Sequence, residues 1–322
     1  MTPPPQAIRI PRGKGALPVP FRGLLLLLAL CLASCTDSKE PLYKPEYSAN
    51  PPASASEYVF APHPLMAPQK LAQVYGAMVD QINQRLAPQR IRLRLEASSS
   101  YAAFNEKLRE RKVHFALPNP YQTVLAAEQG YVVFGKMDQD EDFRGIILTH
   151  RNSPLSTVKD LKGATVAFPA PTALAATMMP ELFMKENGLD PVRDITPRFS
   201  GTHDSAIMSV VIGSAEAACT WPVAWRTFQE EHAEQAQALT VRWQTGTLPN
   251  NGLVALDSVP ERVRAEVAGA FFRLDESAEG RNILQLAGTP RFVAASSSTF
   301  APVNAFIERY KASVRTPKGL NE

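Results

Sequence analysis

The sequence predicts an α/β fold of two lobes, each with a mainly parallel sheet, joined by a two-strand hinge. Three observations carry that prediction. Apolar runs of strand length alternate with longer segments of helical period from Tyr58 onward, the pattern of strand, helix, strand units with right-handed crossovers. The alternation recurs too often for one sheet. Two extended stretches, residues 144–149 and 241–247, bracket a central block and would cross between lobes.

Taken in order, Tyr58-Val-Phe-Ala61 reads as a strand. Pro68–Leu86 reads as a helix in which Leu71, Val74, Tyr75, Met78, Val79 and Ile82 recur three or four apart. Ile91–Leu95 alternates with period two, residues 101–111 are helical, and residues 113–117 are again a strand. Strands follow at residues 131–136, 145–149 and 164–168. Helices over residues 173–187 and 204–212 then alternate with strands at 196–200 and 217–221. This places residues 58–143 and 249–311 in lobe one, 144–248 in lobe two with the hinge strands at its ends, and 312–322 in a C-terminal tail.

Residues 1–34 read as a lipoprotein signal peptide. Arg9, Arg12, Lys14 and Arg22 precede Gly23-Leu-Leu-Leu-Leu-Leu-Ala-Leu-Cys-Leu-Ala-Ser-Cys35, with no acidic residue before the cysteine. A basic region, a short apolar core and small residues before a cleavage point mark an export signal. The apolar run falls well short of the roughly 20 residues of a membrane-spanning helix. Leu32-Ala33-Ser34-Cys35 resembles the lipobox of bacterial lipoproteins. That resemblance implies acylation of Cys35 and a lipid-anchored location on the periplasmic side of a bacterial membrane. Which membrane stays open, because Thr36 stands where inner-membrane retention usually asks for Asp, and Asp37 follows one place later. Residues 35–57, rich in Pro, Ser and Ala, read as the anchor and a flexible tether.

Composition narrows the function further. Four cations leave with the signal, so the formal net charge of +3 falls close to zero, and nothing suggests nucleic acid. Cys31 also leaves and Cys35 is the acyl acceptor. Cys219 then has no disulfide partner and reads as a small buried hydrophobe.

In such sheets ligands gather beyond the strand carboxyl ends, where helices begin. The loops in that position are Pro62-His63-Pro64, Ser98-Ser99-Ser100-Tyr101, Pro118-Asn119-Pro120-Tyr121, residues 169–172, Gly201-Thr202-His203-Asp204-Ser205 and Thr220-Trp221-Pro222. Several carry hydroxyls at a helix start, where free N–H groups favour an anion. No cofactor and no metal are expected.

Ser100-Tyr-Ala-Ala-Phe104, residues 116–121, Asp160-Leu-Lys-Gly163 with Ala164-Thr-Val-Ala-Phe-Pro169, and Gly201-Thr-His-Asp-Ser-Ala206 resemble the phosphate/phosphite/phosphonate-binding proteins of ABC transporters. The resemblance runs from Tyr58 to about Tyr310 and implies a type II periplasmic binding fold. It further implies a ligand oxyanion held by Tyr121, by a turn at residues 172–175 that includes Thr172 and Ala173, and by His203. Thr202, Ser205, Asn119, Ser100, Tyr101 and Trp221 complete the candidate set, with His63 beside them. His203 reads either as a donor to the ligand or as a residue packed behind a cap supplied by Thr202 or Asp204, and the resemblance favours the donor. Tyr121 reads as a ligand contact or as a core aromatic with a wet hydroxyl.

One departure changes the expectation. Where the family shows a Pro-x-Ser-Thr-Ser-like helix start, this chain has Pro171-Thr172-Ala173-Leu174-Ala175-Ala176-Thr177. Two expected hydroxyl donors are methyl groups. Hydrogen bonds to a charged group contribute roughly 1.5–3 kcal/mol each, so phosphate and simple phosphonates should bind about two to four orders of magnitude more weakly, or another small ligand should bind instead.

An enzyme is not expected. The adjacent residues of Thr202-His-Asp-Ser205 cannot converge as a nucleophile, base and orienting group, and no P-loop, Gly-x-Ser-x-Gly turn or zinc-type spacing occurs. The expected partners are a small anionic ligand, the membrane through Cys35, and an ABC permease, with the chain itself a monomer. A ligand-sensing lipoprotein acting on a membrane sensor kinase or cyclase needs the same cleft, so the sequence leaves it open.

Overall fold

The computed structural model describes residues 55–317. The signal peptide, Cys35, most of the tether and the end of the C-terminal tail lie outside them. No helix among the described residues is long and apolar enough to cross a membrane.

Along the chain run β1 (Ser56–Pro62), α1 (Pro68–Leu86), β2 (Ile91–Leu95), α2 (Tyr101–Arg109), β3 (Phe115–Leu117), α3 (Pro120–Glu128) and β4 (Tyr131–Met137). Then follow β5 (Arg144–His150), β6 (Thr165–Phe168), a π-helical turn (Leu174–Met178) leading into α4 (Met179–Glu186), β7 (Thr196–Phe199), α5 (His203–Val211) and β8 (Ala217–Thr220). Next are α6 (Pro222–Glu231), α7 (Ala233–Gln237) and β9 (Leu239–Thr247). The chain closes with β10 (Gly252–Leu256), α8 (Glu261–Phe272), α9 (Ala278–Ala287), β11 (Phe292–Ala294) and α10 (Ala301–Ser313).

The strands form two sheets, ordered β11-β4-β10-β3-β1-β2 and β7-β6-β8-β5-β9. Two sheets of an α/β chain are as expected, and most strands of each run one way, with β10 and β11 reversed in the first and β5 in the second. In the first, only the β1–β2 and β1–β3 pairs are parallel, while β10 runs against β3 and β4, and β11 against β4. In the second, β6 is parallel to β7 and β8, but β5 runs against β8 and β9. Two of the reversed strands, β5 and β10, follow connections that pass from one sheet to the other without an α-helix: residues 138–143 lead from β4 to β5 and residues 248–251 from β9 to β10. The expected hinge stretches are β5 and β9, and they pair with each other from Arg144 opposite Thr247 to His150 opposite Leu239.

The core follows the alternation that predicted it. The apolar face of α1, from Leu71 to Leu86, packs into one cluster with Phe60, Phe115 and Val254 of the first sheet. The second sheet is covered on both faces: Ile146, Leu148, Ala167 and Ala218 point one way, and Ile147, Val166, Phe168 and Cys219 the other. Cys219 is free and fully buried, and burial pushes its thiol well up.

Candidate functional site

The carboxyl ends of β1, β3, β6, β7 and β8 meet the amino ends of the reversed strands β5 and β10 around one cavity. It is lined by His63, Tyr101, Asn119, Phe143, Ala173, Leu174, Ala175, Ala176, His203, Trp221 and Asn251. Its volume is about 20 Å³, room for about one water molecule.

Five helical segments begin here, and local sequence explains each start. Ser100 caps α2, its Oγ accepting from the Ala103 N–H at 3.1 Å, which leaves Tyr101 as the first helical residue. Asn119 and Gln122 form a capping box on α3, followed by Pro120 at a position that needs no N–H. The Asn119 side chain also donates across the cleft to the Thr172 carbonyl at 3.0 Å. Thr202 caps α5 by accepting from the Ser205 N–H at 3.1 Å, so His203 opens that helix. Trp221 precedes Pro222 at the start of α6. The segment after β6 opens as a π turn at Leu174, where Pro180 lacks the N–H that a regular helix would direct to Ala176. The first-turn N–H groups and positive dipole ends at these starts favour a negative group in the cavity.

No Lys, Arg, Asp or Glu lines this space. Burial holds the His63 imidazole down at about 4, against a smaller upward pull from the Leu117 carbonyl that its Nδ1 meets at 3.0 Å. His203 is held lower still, at about 3, by burial and then by the neighbouring His63. Its Nδ1 lies 2.9 Å from the Thr220 hydroxyl. Burial likewise raises the Tyr101 phenol. Both imidazoles are therefore neutral near pH 7. Rings build much of the wall: His63 meets Tyr101 edge-on at 6.0 Å, Trp221 meets Phe143 at 5.9 Å, and His203 tilts on Trp221 at 6.4 Å. Two buried polar atoms of lining residues have no hydrogen-bond partner, the Trp221 Nε1 and the Asn251 Oδ1.

Of the expected site residues, the structure brings together His203, Asn119, Tyr101, Trp221 and Ala173, with His63. The hydroxyls mostly lie elsewhere. Ser100 is exposed, and the Thr202 Oγ1 accepts from the Ser205 N–H in the α5 cap while its hydroxyl donates to the Ser205 Oγ at 2.9 Å. Thr202 and Ser205 line a second cavity of about 290 Å³ instead. That cavity also holds Asp204, Glu231 and His232, whose ligand-type atoms lie within 4.8 Å of one another. These groups already pair with others, His232 with Asp204 at 3.1 Å and Glu231 with Lys70. Thr172 is buried and contributes its carbonyl to Asn119. Tyr121 is buried in the first core cluster and is not part of the cavity wall.

The predicted methyl groups do face the cavity. Ala173, Ala175 and Ala176 line it, and Ala170, Ala173 and Ala176 pack on Tyr101. The Thr177 hydroxyl turns back to the Ala170 carbonyl at 2.7 Å. Leu174 and Ala175 fall in the expected 172–175 turn, whereas Phe143, Ala176 and Asn251 were not anticipated. Phe143 and Asn251 stand just before β5 and β10, so a search of the loops after strands passes over them. The signal that could have found them is the absence of an α-helix between β4 and β5 and between β9 and β10.

Comparison with known proteins bears on the family and the fold. The profile of the family described as "ABC transporter, phosphonate, periplasmic substrate-binding protein" matches residues 60–300. The probable ABC transporter phosphite binding protein PhnD1 of Prochlorococcus marinus (strain MIT 9301) is 21% identical over 182 residues, covering 52% of this chain and 61% of that protein. Among solved structures, PhnD1 from the same organism in complex with methylphosphonate has a TM-score of 0.72 at 18% identity, covering 80% of this chain and 98% of that one. A binding protein component of an ABC phosphonate transporter from Pseudomonas aeruginosa has a TM-score of 0.72 at 15% identity, covering 80% and 88%.

Proposed function

We propose, for a chain that belongs to the phosphonate family of periplasmic substrate-binding proteins of ABC transporters, that it captures a small anionic ligand between its lobes and presents it to an ABC permease. The observation that carries the reading is the small cavity at which five helical segments begin, lined in part by Trp221, whose buried indole N–H is unpartnered. An anion there is held by neutral donors and helix ends rather than by a cation. The ligand residues proposed are His203, Tyr101, Trp221, Asn119 and His63, with Asn251 and the 173–176 backbone. The lobes proposed are residues 58–143 with 249–311, and 144–248, which the distribution of strands between the two sheets supports. We place the acylated Cys35 at the membrane surface on the periplasmic side. A tether of about twenty residues then gives a reach of about 25 Å, enough to keep the lobes beside a membrane partner.

The alanines lining the cavity support weak binding of simple oxyanions. Calorimetric titration of the purified chain with phosphate, phosphite and methylphosphonate tests both points. Saturable binding weaker than about 1 µM is expected. Sub-micromolar affinity would contradict the role given to the alanines, and no binding of any of the three would remove the oxyanion.

A further inference from the structure

The polar atoms around the cavity are of two kinds. Trp221 is 3% exposed and its Nε1–H has no partner, so it offers a donor, and Tyr101, which also lines the cavity, carries a hydroxyl. Asn251 is 1% exposed, and its Nδ2 is taken by the Met137 sulfur at 3.4 Å while its Oδ1 has no partner. It therefore offers an acceptor. His63 offers another, because its Nδ1 meets the Leu117 carbonyl and must carry the proton, which leaves the lone pair on Nε2. His203 adapts to either role, since the Thr220 hydroxyl can donate to or accept from its Nδ1.

A fully ionised oxyanion brings lone pairs only. It would satisfy Trp221 but set negative oxygen against the lone pairs of Asn251 and His63. Buried polar groups that stay unpaired are costly, and a second ligand charge finds no Lys or Arg in the wall to offset it. We infer that the cleft selects a singly charged ligand carrying an O–H donor, the protonated form of a phosphonate-type oxyanion, over both the doubly charged form and a singly charged oxyanion without a donor. The inference rests on the oxyanion reading given above.

The titratable groups around His63 are Tyr101, whose ring it meets edge-on, and His203, and no charged side chain lines the cavity with them. Both histidines stay neutral above about pH 5, so a change between about pH 5.5 and about pH 8.5 acts on the ligand rather than on these groups. The test is calorimetric titration of the full chain at those two pH values with methylphosphonate and with methanesulfonate. The latter has the same shape and a single charge but no O–H. At the lower pH methylphosphonate is expected to bind at least about tenfold tighter than methanesulfonate, and to weaken severalfold, up to about tenfold, at the higher pH, where only the remaining singly charged fraction binds. Asn251→Leu removes one acceptor at similar size and should bring the first ratio below about threefold.

Methylphosphonate binding as tightly at the higher pH, or methanesulfonate within about threefold of it at the lower, overturns the selection and leaves the oxyanion cleft standing. Binding of neither at either pH overturns the oxyanion reading and this inference with it. If the leucine variant does not fold, the comparison on the unaltered chain still decides.

Discussion

At the scale of single residues, the cavity is an uncharged polar site built from groups that folding has neutralised. His63 and His203 are held at about 4 and about 3 by burial, while in the unfolded chain both titrate near 6.5. Below that value the unfolded state takes up protons that the folded state refuses. Stability is therefore fully present above about pH 6.5 and is lost as pH falls toward the folded values, by on the order of 1.4 kcal/mol per histidine per pH unit. Urea denaturation between pH 7 and pH 4.5 should show this fall, and replacing both histidines by Gln should flatten it. A flat profile for the unaltered chain would mean that these imidazoles are solvated. His203 and Trp221 were legible in the sequence because each stands at a strand-to-helix turn. Thr202 and Ser205 misled for a chemical reason: a hydroxyl at a helix start serves the helix as readily as a ligand.

At the scale of elements, α1 was legible to the residue, because a two-faced helix on a sheet prints its period in the sequence. Strands β10 and β11 were not, since their pairing partners lie more than a hundred residues earlier and no local pattern records that they run backwards. The reversed orientation of β10 hid Asn251, as that of β5 hid Phe143. The π turn ahead of α4 was likewise read as plain helix, although Pro180 marks the missing hydrogen bond. This turn lies against the hinge strand β5 at Gly145, where a Cβ would come within 2.5 Å of the Ala175 carbonyl and 2.8 Å of the Pro180 Cδ. Backbone on one side and a proline ring on the other leave little room to give. Gly145→Ala should lower the denaturant midpoint by an amount equivalent to about 1–3 kcal/mol, through displacement of the turn that carries Ala173–Ala176. An unchanged midpoint would show that the turn moves freely against the hinge.

At the scale of the molecule, the two sheets are closed on each other by small contacts on the cleft side. Asn119 reaches the Thr172 carbonyl, the Tyr101 ring rests on alanines, and Lys70 pairs with Glu231. Behind the hinge, Tyr310 and Arg315 hold the buried Glu181 of α4, and Arg309 pairs with Glu186. Burial raises the Glu181 carboxyl, and Arg315 opposes that rise. Losing Arg315 would leave Glu181 buried without its cation, a costly state, so these contacts suit a fixed pivot. A cavity of about 20 Å³ has room for about one water molecule, so the proposed capture of a tetrahedral oxyanion calls for the two sheets to part about β5 and β9.

Whether that cavity is the binding site is tested most directly by titrating Trp221→Phe with methylphosphonate beside the unaltered chain. The substitution keeps a ring against Phe143 and His203 and removes the one indole donor. About tenfold or greater loss of affinity is expected, with the ligand-free protein melting at the same temperature or higher because an unpaired buried N–H has gone. Undiminished affinity with an unchanged melting temperature would place the ligand elsewhere and contradict the account.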